Sequence, residues 1–375
     1  MRPLGALIIE RRADPPVSWV LAVSLLAITT ALALAGLIFW AYGLNPFAAY
    51  ATIARDTLGD LEILPELFRP GIPLLLAGVG LVMAFRAQFY NIGAEGQLLA
   101  GAIGATWVAL FSPIQGIWAL PAMFAAGALA GALWGLIPTL MRLRLNVNEV
   151  ITTLMMNYIA IYTVQWLTYG AWKGPSVRGF PYTDEFPAAA QLPVIPGTPI
   201  HWPTLLLGVA AAVLLTLLLA RTTLGFEIRV QGQNPSAARY AGISPLRTVL
   251  VVMLISGGLA GMAGVGEVAG IHHRLFDPGQ ISQGYGYAAI IVAWLARGSP
   301  LAAILTAMFL GLVYSAGEVM KATLQMPARV TDVFNGLILF CLIGSERLLY
   351  YRLRWHTSPA APEKLPAQAG EPQKS

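Results

Sequence analysis

Hydrophobic positions in this chain fall into long runs separated by short polar breaks, with no period-two alternation that would mark strands. Seven stretches, 15–54, 96–141, 150–172, 186–220, 248–266, 278–296 and 298–317, contain no Asp, Glu, Lys or Arg. About 20 mostly apolar residues cross a bilayer as a helix. In lipid every backbone amide needs an internal partner, which leaves helices or closed barrels, and without alternation helices win. The pattern predicts an all-α polytopic membrane protein with about ten segments: 17–42, 70–87, 92–112, 116–140, 149–172, 203–220, 248–270, 284–296, 299–319 and 332–346. The stretches 92–112 and 284–296 are Gly-rich, and each is a candidate for a broken or partial span. Residues 17–42 follow Arg11 and Arg12 and include an Ala-x-Ala sequence, but they are too long for a signal h-region of about 7–15 residues. They are read as an uncleaved first span.

Composition agrees with this picture. Of the 375 residues, 57% are hydrophobic and 11% charged, against roughly 25% charged in soluble domains. The placement of the 23 Lys and Arg residues sets the orientation. With the N-terminus in the cytosol, sixteen of them fall on the inner face and seven (Arg55, Arg69, Lys173, Arg178, Arg274, Lys321, Arg329) on the outer. That asymmetry follows the positive-inside rule and accounts for the net charge of +5 without nucleic acid. Both ends are therefore cytoplasmic: 1–16 as a short N-terminus and 347–375 as a Pro/Ala-rich tail expected to be unstructured, flanking a permeation domain over 17–346. Cys341 is the only cysteine, so no internal disulfide exists.

Two outer loops, 43–69 and 173–202, are read either as ledges for an external partner or as ordinary solvated loops. An inverted internal repeat is faintly visible between 78–97 and 264–290, each running from a Gly-rich helix through a turn into a second helix. Repeats of this kind, with broken helices, are typical of transporters. Gly127, Gly131 and Gly135, with Gly257/Gly261 and Gly266/Gly270, give small-xxx-small ladders that pack helices closely, within the chain or between subunits.

Candidate chemistry is sparse. The four histidines show no metal-ligand spacing, and no Walker A glycine-lysine pair occurs, so the chain holds no P-loop for ATP. No catalytic constellation falls at one membrane depth. Acids inside apolar regions are Glu95, Glu149 and Glu267, each needing a cavity, partner or interface. Glu95 either pins its Gly-rich turn through backbone N–H groups or meets solute; Glu149 suits a cytoplasmic helix N-terminus. Asn157 lies two turns inside a span and either faces a path or bonds a neighbouring helix. Amides and aromatics that would suit a path for a ring-shaped polar solute are Asn157, Gln165, Trp166, Tyr285, Tyr287 and Trp294; Asn91 and Glu95 join them at the start of the third span. An ion-gradient-driven carrier using Glu95 or Glu267 is the competing reading.

One polar island stands out: "GFEIRVQGQNPSAARYAGIS" at 225–244. Asn234-Pro235 starts a helix, with Asn as cap and Pro at the first position, and Gly242 ends it. A short Ala-rich helix at about 233–242 results, lying on the cytoplasmic face. This stretch resembles the coupling-helix segment of ABC importer permeases for ribose-type sugars, branched-chain amino acids and nucleosides. "FYNIGAEGQLLAGAIGA" (89–105) and "NEVITTLMMNYIA" (148–160) are similar to the branch for nucleosides or simple sugars that works with basic-membrane-protein-type lipoprotein receptors. The resemblance covers roughly 70–345. It implies a transport subunit, not an enzyme, in the cytoplasmic (inner) membrane of a bacterium, translocating nucleosides or, alternatively, simple sugars. It implies that Gly225, Phe226, Gly232, Asn234, Pro235, Ala237, Ala238, Ala241 and Gly242 seat in an ATPase subunit, separate or fused as a double ATPase. ATP and Mg²⁺ would be used there, with no cofactor on this chain. A second related permease chain and an extracytoplasmic solute-binding lipoprotein complete the implied assembly.

Overall fold

The computed structural model describes residues 6–11, 16–58, 65, 68–177, 179–327 and 351–356, with part of 330–345. Contacts divide the chain into two units, Met1–Ala35 with Leu337–Ser375, and Gly36–Gly336. The first unit holds strands β1 (Ala6–Arg11) and β2 (Tyr351–His356), paired antiparallel with Ala6 opposite His356 and Arg11 opposite Tyr351. The unstructured tail expected over 347–375 is therefore corrected at 351–356, where Tyr, Leu and Trp alternate with Arg, Arg and His at the strand period; 357–375 lie outside the described residues. One ladder requires both chain ends on the same side of the membrane, as the charge count requires. The first helix, α1 (Val17–Ala41), begins in this unit.

The second unit is helical. It contains α2 (Pro46–Leu58), α3 (Gly71–Arg86), α4 (Ala94–Phe111), α5 (Ala119–Leu145), α6 (Glu149–Tyr169) and α7 (Trp202–Arg221). After these come α8 (Thr223–Gln233), α9 (Pro235–Tyr240), α10 (Pro245–Glu267), α11 (Pro278–Ser282), α12 (Tyr285–Leu295) and α13 (Pro300–Ala322). Among the described residues six helices are long and apolar enough to cross a membrane, or seven if α1 and α2 form one broken span. The expected count of ten is not reached on this measure. Helix α3 has 16 residues and α12 only 11, short of the ~20 needed to cross alone, and 332–346 is described only in part. The half-length α12 fits the expected partial span at 284–296, whereas 92–112 holds an unbroken 18-residue helix entered from a non-helical 87–93.

Helix α3 is the axis of this unit. It is apolar on all sides, and every residue from Gly71 to Ala84 is buried, as a helix without a polar face must be. It packs against α10, α12, α13 and α7. The glycine ladders act within the chain. A methyl group on Gly131 would strike the Gly257 carbonyl oxygen, and one on Gly261 the carbonyl of Gly127, so α5 and α10 meet backbone to backbone. Large apolar side chains of α5, α6 and α7, such as Leu129, Ile159 and Leu214, are exposed and suited to lipid.

The outer loop after α6 is a strap, not a free ledge. The backbone N–H groups of Thr183, Phe186 and Leu192 donate to the carbonyls of Leu275, His273 and Ala269 at 2.9, 2.8 and 2.8 Å. Phe186 and Leu192 are buried beneath it. The strap thus clasps the π-helical turn Val268–His272 that ends α10.

Candidate coupling elbow and midmembrane junction

The polar island is two helices. Thr222 caps α8 by accepting from the Gly225 N–H at 3.0 Å. Asn234 caps α9, its Oδ1 accepting from the N–H groups of Ser236 and Ala237 at 3.0 Å each. The expected start at Asn234-Pro235 and the terminal glycine are both in place, Gly242 at φ +79° closing the turn. The α8 helix had not been anticipated, because "GFEIRVQGQ" has two glycines and a weak apolar period; capping by Thr222 is the signal that would have found it.

The island has two faces. Gly225, Ile228 and Ala238 are buried against the chain itself, and Gly232 is half-buried. A Cβ on Gly225 would strike the backbone of Leu218 and Leu219, and one on Gly232 the Arg86 carbonyl at the inner end of α3. Arg86 also touches the turn at Gly298, between α12 and α13. Asn234, Pro235, Ala237, Ala241 and Gly242 are exposed, Phe226 is 56% exposed and Tyr240 97% exposed. So the glycines and Ala238 seat the elbow on the permease, while the caps, Ala237, Ala241 and two aromatics face outward. Tyr240 and Arg86 were not singled out from the sequence. Nothing in their spacing marks them; only the fold brings Arg86 under Gly232.

The second assembly lies where the start of α4, the middle of α6 and the start of α12 converge. The Asn157 Oδ1 accepts from the Gly96 N–H at 2.8 Å and its Nδ2 donates to the Ile92 carbonyl at 2.9 Å. Asn91 accepts from the Gly93 N–H at 2.9 Å and exchanges hydrogen bonds with Gln97; its Nδ2 also donates to Ser256 of α10 at 3.3 Å. The Thr153 hydroxyl accepts from the Ile92 N–H at 3.2 Å. Both amides therefore fasten the non-helical turn that feeds α4, satisfying backbone groups that lipid could not.

Glu95 joins the two re-entry points. Its carboxylate accepts from the Gly286 N–H at 2.9 Å, with Ser282 and the N–H groups of Gly284 and Tyr287 also in hydrogen-bonding reach. The orphan N–H groups at the start of α12 thus meet an acid, the pairing a helix N-terminus favours. Gly286 is required because a Cβ there would overlap the Glu95 backbone. Tyr287 lies next to Asn157 and Glu95, and Tyr285 is fully buried beside it. Of the eight path candidates, Asn91, Glu95, Asn157, Tyr285 and Tyr287 come together here. Gln165 and Trp166 lie two turns further along α6, half-buried and 69% exposed, and Trp294 packs on Phe85 at the other end of α12, 41% exposed. Ser256, Gln97 and Thr153 belong to the junction and were missed, since isolated hydroxyls and amides in apolar helices carry no positional pattern. Glu149 pairs with Arg142 at 3.1 Å beside the Asn148 cap, in keeping with its expected helix-start position.

The comparisons with known proteins bear on the same region. Residues 64–343 match the family described as branched-chain amino acid transport system permease component. The chain is 34% identical over 339 residues to the glucose ABC transporter permease protein TsgB13 of Haloferax volcanii, covering 88% of each. It is 30% identical over 341 residues to the guanosine ABC transporter permease protein NupP of Bacillus subtilis, covering 88% of this chain and 95% of that one. It is 29% identical over 330 residues to the nucleoside ABC transporter permease protein NupB of Lactococcus lactis, covering 85% and 89%. No solved structure matches significantly. The matched span takes in the elbow, the junction and the central helix together, and the chain belongs to the branched-chain amino acid transport system permease family: a multi-pass ABC transporter subunit that works with ATPase and solute-binding partners and is not an enzyme.

Proposed function

We propose that this chain is the permease subunit of an ATP-driven importer for nucleosides in the cytoplasmic (inner) membrane of a bacterium. The observation that carries the reading is the elbow: two capped helices, anchored to α3 by Gly232 and presenting Ala237, Tyr240 and Ala241 outward. Such a surface suits docking on an ATPase, which the chain, having no P-loop, must borrow. ATP and Mg²⁺ are bound by that partner, separate or fused as a double ATPase. A second related permease chain completes the pathway, and an extracytoplasmic lipoprotein delivers the solute. The names of the guanosine and nucleoside relatives support the choice of solute. Simple sugars are the second reading, favoured by the 34% identity to a glucose permease.

Deletion of the gene, with measurement of labelled guanosine and glucose uptake, tests the proposal. Loss of guanosine uptake, restored by the wild-type gene and abolished by an inactive ATPase partner, is the expected outcome. Loss of glucose uptake alone selects the sugar reading, and unaltered uptake of both overturns the importer assignment for these solutes.

A further inference from the structure

Beyond the junction, on the outer side, lies a cavity of about 510 Å³ that none of the functional assignments above uses. Its wall includes His272 from the end of α10, Gln280 and Gln283 from the α11 region, and Tyr314, Glu318 and Lys321 from α13. Solute pockets span about 300–1,000 Å³, so the size suits a small molecule. In so apolar a chain, six polar side chains gathered at one cavity need a reason.

Three features define what the cavity would hold. Its charges cancel: the Lys321 ammonium donates to the Glu318 carboxylate at 2.7 Å, so neither sign is favoured. Its remaining groups both give and accept hydrogen bonds. The Tyr285 hydroxyl donates to the Gln283 Oε1 at 3.1 Å, leaving that side chain's NH₂ to donate, while Gln280 offers both ends of an amide. Third, His272 brings an imidazole ring to the wall, packed edge-on against Phe276. The floor is the turn between α11 and α12, where Gln283 at φ 44° and Gly284 at φ 75° are consecutive left-handed residues. For a non-glycine residue that conformation is uncommon, and outliers of this kind cluster at functional sites. One residue beyond Tyr285, Gly286 is held by Glu95, so the floor adjoins the junction.

We propose that this cavity is an outer acceptor site, which takes an uncharged, hydroxyl-bearing solute of monosaccharide or nucleoside size before passage through the permease. The inference rests on the importer reading above, and the test separates the two. The full-length chain carrying Cys341→Ser and Gln280→Cys is expressed with its transport partners in intact cells. It is then labelled with a membrane-impermeant maleimide. Val194→Cys, on the outer strap away from the cavity, is the control; Val194 is 41% exposed. Guanosine and glucose are tried separately as protecting solutes, with guanosine 5′-monophosphate as the charged comparison.

The expected result is that one of the two neutral solutes slows labelling at Gln280→Cys. The effect should reach about tenfold at ten times the half-protecting concentration, following simple occupancy, and leave Val194→Cys unaffected. Protection by guanosine or by glucose names the solute. Equal protection by the monophosphate overturns the neutral-solute assignment, and no protection by either neutral solute overturns the site. If Gln280→Cys is unreactive, Lys321→Cys at the rim is read in the same way, and failure of both to label also overturns it. Uptake measured in the same cells keeps the readings apart. Protection without uptake preserves the cavity and sinks the importer reading; uptake without protection does the reverse.

Discussion

The hydrogen bond from Gly286 to Glu95 sits where no water can replace it. An unpaired buried backbone N–H costs about 1–3 kcal/mol, more than the net value of making the bond. Glu95→Leu should therefore lower the thermal unfolding midpoint of the purified chain by several degrees, whereas Glu95→Gln, which keeps an acceptor oxygen, should lose much less. A Glu95→Leu protein that melts like wild type would remove the junction's structural role. The sequence had left two roles open for Glu95 and for Asn157. The fold gives both a fastening role, because each side chain bonds backbone groups of another segment. What the sequence could not carry was the partner. The separation of 191 positions from Glu95 to Gly286 is bridged by topology, and no spacing rule reaches that far.

Elements were legible where local chemistry is strong. The cap and proline at Asn234-Pro235 and the glycine at 242 placed α9, and the half-length character of α12 followed from a short apolar run. Elements held by tertiary contact were not: α8 depends on glycines meeting Leu218 and Arg86, and the strap over 173–202 depends on backbone pairing with 269–275. The same distinction separates two kinds of elbow variant. Bulk at Gly232 meets the main chain of Arg86 and cannot be relieved by a rotamer change, so Gly232→Val should lower both thermal stability and ATPase co-purification. Tyr240→Ala removes only an exposed ring and should weaken ATPase co-purification with the melting point unchanged. Asn234→Ala falls between, since losing such a cap costs about 0.5–2 kcal/mol of helix stability and α9 has six residues, too few to hold a helix alone. A Gly232→Val protein with wild-type stability would show that the elbow is not seated on α3.

At the scale of the whole molecule, the coupling role proposed for the elbow requires that the elbow and the junction share a rigid body. Helix α3 is that body within the second unit: its inner end meets Gly232 and its middle is buried against α10 and α12. A non-helical turn follows α3 and leads into α4, and the π-helical turn and α11 follow α10 and lead into α12. Packed helices pass on such movements as discrete shifts, not as smooth bending. The β1–β2 ladder holds residues 6–11 and 351–356 together on one side, and the excess of Lys and Arg in the loops read as inner is the argument for placing that side in the cytosol. A fluorescent protein that matures only in the cytosol, fused in turn to the N- and C-terminus, should fluoresce in both fusions. A periplasmically active phosphatase at either end should stay silent. A bright fusion at one end with a dark one at the other would break the ladder and invert half of the charge count. Darkness at both ends would keep the ladder but turn the elbow away from the ATP-bearing side, and the coupling role would fall with it.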